Sequence, residues 1–323
     1  MRINFLSALC LLVNVTLCAQ GSSKPNIVII VADDLGWGDV GFHKTEIRTP
    51  HIDQLAKEGV VLNRFYVSPI CSPTRAGIMT GRYPERFGLR DNVIAPWLDF
   101  GVDTSETFLP QLLATAGYRN RAAIGKWHLG HSRKKYLPLK RGFTHFYGHY
   151  NGAIDYFTHK REGELDWHND WETSYDKGYS TDLISAEAVK CIEQYKKDGP
   201  FFLYIAYNAP HGPLQAKNED LLKYGYDSSK PTFGNDNPEK EQGRGNTKRQ
   251  TYSAMVTSMD EGIGRILSAI KDAGIEANTL VLFESDNGAE PAAGGSSGLL
   301  RGHKFQEWEG GVRPPAIVRW PGV

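Results

Sequence analysis

Apolar and polar positions divide the chain into two alternating kinds of segment. Residues 25–32 (Pro-Asn-Ile-Val-Ile-Ile-Val-Ala), 200–206 (Pro-Phe-Phe-Leu-Tyr-Ile-Ala) and 279–283 (Thr-Leu-Val-Leu-Phe) are short, almost unbroken apolar runs rich in β-branched and aromatic residues. Runs of this kind mark central strands buried on both faces of a parallel sheet, and Arg121-Ala122-Ala123-Ile124 reads as a shorter one. Between them, apolar residues recur every three to four positions: Ile184, Ala188, Cys191, Ile192 and Tyr195 in one segment, Met255, Met259, Ile263, Ile266 and Ile270 in another. These spacings predict helices over 180–197 and through 255–270. Further helices are expected at 49–56 and at 109–116, where Pro110 suits a first turn and Gly117 a stop. Residues 60–66 read as extended. Strand and helix in repeated alternation predict an α/β protein, a three-layer α/β/α sandwich with a mostly parallel central sheet.

Each predicted strand runs out into a polar cluster: Asp33-Asp34, then Gly125-Lys126-Trp127-His128, then Asn208-Ala209-Pro210-His211, then Ser285-Asp286-Asn287-Gly288. In open α/β sheets that end of the strands is where ligands bind. Asp33, Asp34, Asp286 and Asn287 offer only oxygen, which suits a hard cation such as calcium, whereas zinc would ask for histidine or cysteine. Taken singly, Asp-Asp and Asp-Asn-Gly are equally turn sequences. A fifth cluster, Cys71-Ser72-Pro73-Thr74-Arg75, places a proline where a first helical turn tolerates it. Cys71 would then lie just ahead of a helix N-terminus, whose free amides and dipole favour negative charge, with Arg75 one turn further on. A lone cysteine is more commonly a small core residue or half of a disulfide.

Lys plus Arg and Asp plus Glu both number 37, so no net field favours nucleic acid, and any anion specificity is local. Arg2, the apolar run from Phe5 to Leu17 and Cys18-Ala19-Gln20 read as a secretory signal over residues 1–19, too short to span a bilayer. No other segment reads as a transmembrane span. Export leaves Cys71 and Cys191; Cys191 falls on an apolar helix stripe, which leaves Cys71 unpaired. No Asn-x-Ser/Thr site follows the signal, which favours a bacterial periplasmic or secreted protein over a lysosomal one. The stretch 226–249, rich in Gly, Pro, Asn, Lys and Glu, reads as a solvated loop.

Cys71-x-Pro73-x-Arg75, continued by Gly81-Arg82-Tyr83-Pro84, resembles the signature of the type I sulfatases, and the other clusters follow in that family's order from Pro25 to the last residue. Asp39-Val40-Gly41-Phe42-His43, Ile47-Arg48-Thr49-Pro50-His51, Gly142-Phe143, Asp155-Tyr156 and Trp308-Glu309-Gly310-Gly311-Val312-Arg313 are most similar to the arylsulfatase B (N-acetylgalactosamine-4-sulfatase) group. The resemblance implies an alkaline-phosphatase-like fold with residues 24–323 as the catalytic domain. It also implies a smaller C-terminal subdomain into which relatives continue beyond Val323. It assigns calcium to Asp33, Asp34, Asp286 and Asn287, with Cys71, oxidised to formylglycine by a maturation enzyme, completing the shell. Arg75, Lys126, His128, His211 and Lys304 become the catalytic and sulfate-binding set.

The implied reaction is hydrolysis of a sulfate ester on a carbohydrate or an aryl group. A thiolate would form an S-sulfate with no easy exit, whereas one hydroxyl of a hydrated aldehyde attacks sulfur and the other then loses its proton to expel sulfate. Lys126, Lys304 and Arg75 would hold the spreading charge; His211 with Lys304 would protonate the leaving alcohol, and His128 would act as base. The alternatives are a phosphatase or phosphodiesterase of the same superfamily, which would need a Ser or Thr nucleophile and a zinc-rich site, and an inactive sulfated-glycan-binding relative.

Overall fold

The computed structural model describes residues 24–234 and 242–323. Residues 1–19, read as a signal, lie outside these, as does part of the 226–249 loop. The strand predicted at 25–32 is β1 (Asn26–Ala32), and the helix with Pro50 in its first turn is α1 (Pro50–Glu58). Of the extended segment 60–66, only β2 (Val60–Val61) pairs. α2 (Cys71–Thr80) begins on Cys71 itself rather than after it, with Ile70 as N-cap and Gly81 in the left-handed conformation as stop. α3 (Leu109–Thr115) and β3 (Asn120–Lys126) follow as expected.

Next come β4 (His145–His149), which the pattern did not reveal, and the two-residue strands β5 (Lys160–Arg161), β6 (Glu164–Leu165), β7 (His168–Asn169) and β8 (Glu172–Thr173). The remaining elements are α4 (Ser180–Tyr195), β9 (Phe201–Ala206), α5 (Asn218–Leu222), α6 (Lys248–Asp272), β10 (Thr279–Ser285), α7 (Glu309–Val312) and β11 (Ala316–Arg319).

The main sheet has the order β2-β11-β10-β1-β9-β3-β4-β7-β8. Its five central strands, β10, β1, β9, β3 and β4, are mutually parallel; β11 and β7 flank them antiparallel, and the edge strands β2 and β8 pair antiparallel with β11 and β7 in turn. Alternation along the strands sorts their residues between two cores. Val28, Ile30, Leu203, Ile205, Val281 and Phe283 pack with α1, α4 and α6, whose stripes include Ile52, Ile184, Cys191, Met259 and Ile263. Val31, Ala123, Phe202 and Tyr204 face the other way, onto Ala76 and Met79 of α2 and onto Phe108, Trp127, Phe143 and Phe146. The sandwich is three layers, as the alternation predicts. Towards β2 the second face is more thinly covered: Ile27, Leu280, Leu282 and Val318 are half-buried and Val60 is exposed.

β4 is held laterally by a charged clamp. His145 Nδ1 lies 2.9 Å from Asp170 in the β7–β8 turn, and its Nε2 lies 2.9 Å from Glu187 on α4, which also accepts from Lys190 at 3.0 Å and has the Cys191 thiol 4.0 Å away. Burial disfavours the imidazolium, but Glu187 and Asp170 outweigh it and raise the His145 pKa above its ordinary value. A raised histidine contributes stability that is complete below its unfolded-state pKa and is lost as pH rises through the folded one. His145→Gln is therefore expected to lower the melting temperature by a few degrees near about pH 6 and by much less near about pH 9. Thermal melts across that range check this, and a pH-independent difference would contradict it.

Candidate active site

At the C-terminal end of β1 the chain turns at once. The Asp33 amide donates to the Ala209 carbonyl at 3.0 Å, and Asp34 adopts φ 66°, in the left-handed region. Adjacent residues of a continuing strand would point to opposite faces. The turn instead brings carboxylate oxygens of Asp33 and Asp34 and a ring nitrogen of His211 within 4.8 Å of one another. The neighbouring strand β10 delivers Asp286, whose amide donates to the Ala32 carbonyl at 3.0 Å and whose Oδ1 accepts from the Asp34 amide at 3.2 Å. Three buried carboxylates thus converge.

Cations from three further segments balance them, and a fourth segment adds a histidine. Arg75 Nε donates to Asp286 at 2.9 Å and its Nη1 to the Lys126 carbonyl at 3.2 Å. Lys126, the last residue of β3, reaches Asp33 Oδ2 at 2.5 Å, and Lys304 reaches Asp34 Oδ2 at 2.7 Å. His211, on the loop after β9, has Nε2 3.7 Å from the same oxygen. Burial pushes Asp34 up, but the surrounding positive groups hold it at about 2. Burial lowers His211 to about 4 and so leaves it neutral at neutral pH, when Lys304 and Lys126 remain to stabilise Asp34. The same Asp34 keeps the Lys304 ammonium charged despite burial.

The donor set fits a hard cation. Asp33 Oδ1 and Asn287 Oδ1 are buried without a hydrogen-bond partner, and burial and the Asp286 charge push Asp33 up against the pull of Lys126 and Arg75. An added divalent ion would satisfy both oxygens and relieve that repulsion. Asn287 is not purely a ligand: its amide nitrogen donates to Asp34 Oδ1 at 2.8 Å and to the Gly288 carbonyl at 3.0 Å, which turns its oxygen inward.

Cys71 Sγ lies within 4.8 Å of the Asp33 and Asp286 carboxylate oxygens, and the side chain is 2% exposed. It is free, as is Cys191, which is buried in the core as its place on the helix stripe predicts. Burial raises the Cys71 thiol to about 11, with the carboxylates reinforcing this and Lys126 opposing it, so at neutral pH it is a thiol and a poor nucleophile.

His128, also in the left-handed region at φ 55°, is fixed through its backbone: its carbonyl accepts from Ser72 Oγ at 3.0 Å, and its amide donates to the Tyr150 carbonyl at 3.0 Å. Burial, then Lys126 and Arg75, keep its ring neutral, and its Nδ1 is buried without a partner. Trp127 is core, packed with Phe108 and Phe143. Sequence reasoning missed the support beneath His128. His149, paired with Lys126 across β3 and β4, is fully buried, and Asp166 accepts from the amides of Tyr150 and Asn151 at 3.0 and 2.9 Å. The signal was weak, because His-Phe-Tyr-Gly-His has neither β-branching nor alternation.

These features define a class: an α/β/α scaffold of the alkaline-phosphatase kind, with a cation-ready acidic centre and fixed positive charges beside it. Over residues 25–323 the sequence matches the sulfatase family profile, and the chain belongs to that family. It is 38% identical over 93% of its length to mouse arylsulfatase J, covering 49% of that protein, and 36% identical over 95% to mouse N-acetylgalactosamine-6-sulfatase, covering 59%. Among solved structures it resembles Ps i-CgsB, described in complex with k-i-k-neocarrahexaose, with TM-score 0.81, 37% identity and 93% of this chain covering 66% of that one. The chain therefore spans about half to two thirds of the length of these proteins. A phosphonate monoester hydrolase from Agrobacterium radiobacter, at TM-score 0.60 and 21% identity, shares the fold.

Gly152 sits against the catalytic candidate His128: a Cβ there would lie 2.5 Å from its Cε1 and Nε2. Gly152→Ala is expected to displace the ring and lower kcat on the order of a hundredfold, since about 1 Å of misplacement costs that much, and to lower the melting temperature by a few degrees, because the buried ring must give way. Unaltered kcat would show that the ring position is immaterial to turnover.

Proposed function

We propose that the protein is a calcium-dependent sulfuric ester hydrolase that removes sulfate from a sulfated carbohydrate, with aryl sulfates as surrogates, after Cys71 is oxidised to formylglycine by a maturation enzyme. The observation that carries this reading is the environment of Cys71. A buried thiol, kept protonated among carboxylates, is badly placed to act as a thiolate and well placed to present an oxidised carbon to a cation and an anion site together.

Calcium held by Asp33, Asp34, Asp286 and Asn287 would supply positive charge against the sulfate oxygens. The hydrated aldehyde at position 71 would supply one hydroxyl for attack on sulfur and a second for release of sulfate. Lys126, Arg75 and Lys304 are fixed beforehand by their carboxylate partners, so they stabilise spreading negative charge with little reorganisation. Lys304, held protonated by Asp34, and His211, whose proton affinity rises when the sulfate ester monoanion arrives beside it, protonate the leaving oxygen. The free Nδ1 of neutral His128 accepts a proton when sulfate is expelled. The phosphatase alternative needs a Ser or Thr nucleophile and nitrogen-rich zinc ligands, whereas the described cluster presents Cys71 and mainly oxygen. Among the described residues no helix is long and apolar enough to cross a membrane. The apolar N-terminal sequence supports export to the periplasm or medium, or to the lysosome in a eukaryote.

Mass analysis of the Cys71 peptide from active enzyme is expected to show the aldehyde. Cys71→Ala is expected to abolish p-nitrophenyl sulfate hydrolysis, and Cys71→Ser to stop after at most one turnover; sustained turnover by either would refute the formylglycine reading.

Chelation should remove activity and calcium restore it. Asp286→Asn, which keeps the shape beside Arg75, should weaken calcium-dependent activity by roughly a hundredfold at fixed calcium concentration. Recovery with zinc alone would refute the oxygen-ligand assignment.

A further inference from the structure

Three residues around this site adopt the left-handed backbone conformation without being glycine: Asp34 at φ 66°, His128 at φ 55° and Phe305 at φ 69°. The first two present functional side chains. For a bulky aromatic residue the conformation is a costly outlier, held only where surrounding structure imposes it, and such strain gathers at ligand-handling positions. At Phe305 the imposing contacts are clear. Its amide donates to the Pro69 carbonyl at 2.8 Å, two residues before Cys71, and the preceding Lys304 amide donates to the Ala289 carbonyl at 2.9 Å. Glycine would satisfy both bonds without strain.

The aromatic ring gains nothing from the core, because Phe305 is 62% exposed. Its centroid nevertheless lies 5.2 Å from Lys304 Nζ, the ammonium that bonds Asp34. An exposed apolar surface is thus fixed at the edge of an otherwise charged site, within reach of whatever group carries the sulfate. Binding sites for organic ligands combine such apolar walls with a few oriented polar groups, and a rigid aromatic ring provides wall area at low entropic cost.

We propose that Phe305 is a specificity-determining residue whose ring packs against the apolar face of a pyranose carrying the sulfate, so that the enzyme reads the sugar and not only the anion. This rests on the sulfatase reading above. Lys304 then serves the sulfate end of the substrate and its neighbour Phe305 the sugar end, with one backbone segment setting the spacing between them.

The test compares full-length, calcium-loaded enzyme with its Phe305→Gly, Phe305→Ala and Phe305→Trp variants. Probes are N-acetylgalactosamine 6-sulfate, the sulfated neocarrahexaose and p-nitrophenyl sulfate as substrates, and inorganic sulfate as inhibitor. Loss of the ring in the Gly and Ala variants is expected to raise KM for a turned-over saccharide roughly tenfold, with kcat less affected, and the Trp variant to restore it. The inhibition constant of inorganic sulfate, which occupies only the anion site, should stay within about twofold. The Gly variant, relieved of strain, should melt no lower than the parent. An unchanged saccharide KM, an equal rise in the sulfate inhibition constant, or a drop in melting temperature with unchanged KM would overturn the assignment. So would turnover of p-nitrophenyl sulfate with neither saccharide accepted. Parent enzyme inert towards every substrate would instead defeat the sulfatase reading itself.

Discussion

The structure depends on keeping three carboxylates in one dry place. Asp33, Asp34 and Asp286 sit at the ends of adjacent parallel strands where water cannot screen them, and burial of like charges is prohibitive without compensation. Each takes a different cation: Asp286 takes Arg75, Asp33 takes Lys126 and Asp34 takes Lys304. Those cations come from α2, from the end of β3 and from the loop after β10, so the charge balance joins parts of the chain far apart in sequence. Removing one member strands its partner and costs about 3–5 kcal/mol, which makes the site a structural keystone as well as a candidate centre of chemistry.

The same arrangement accounts for the state of the ionisable groups. Fixed positive charge and burial keep His128 and His211 neutral, and burial among carboxylates keeps Cys71 protonated. With no cation bound the site disfavours thiolate formation while bringing cysteine beside cation-ready oxygens, which agrees with the proposed oxidation of Cys71.

The two cores play unequal parts. On one face α1, α4 and α6 cover the sheet with regular amphipathic stripes. On the other, coverage comes from α2, α3 and irregular segments, and these carry candidate functional groups: α2 brings Cys71 and Arg75, and Ser72 links α2 to His128 and to the Ile94 amide at 3.0 and 3.1 Å. Irregular coverage allows each side chain its own approach angle, at the cost of strained residues such as Asp34 and His128.

The sequence by itself determined the central strands and the long helices, because an apolar run of five to seven residues or a stripe at helical spacing leaves few other ways to hide from water. It also determined the placing of Asp33, Lys126, His211 and Asp286 at strand ends, since polarity begins where each run stops. Family resemblance, rather than pattern, tied those clusters to Cys71 and Lys304. Tertiary structure alone decided the rest. β4 exists because β3 and the His145 clamp hold an unremarkable segment in the sheet, and with it come His149 and the bed of His128. Left-handed geometry at Asp34, His128 and Phe305 is imposed by hydrogen bonds to distant carbonyls and side chains, which no local preference encodes. Which carboxylate pairs with which cation was likewise invisible in the chain, because equal charges are interchangeable in one dimension and become distinct only when packing fixes their distances.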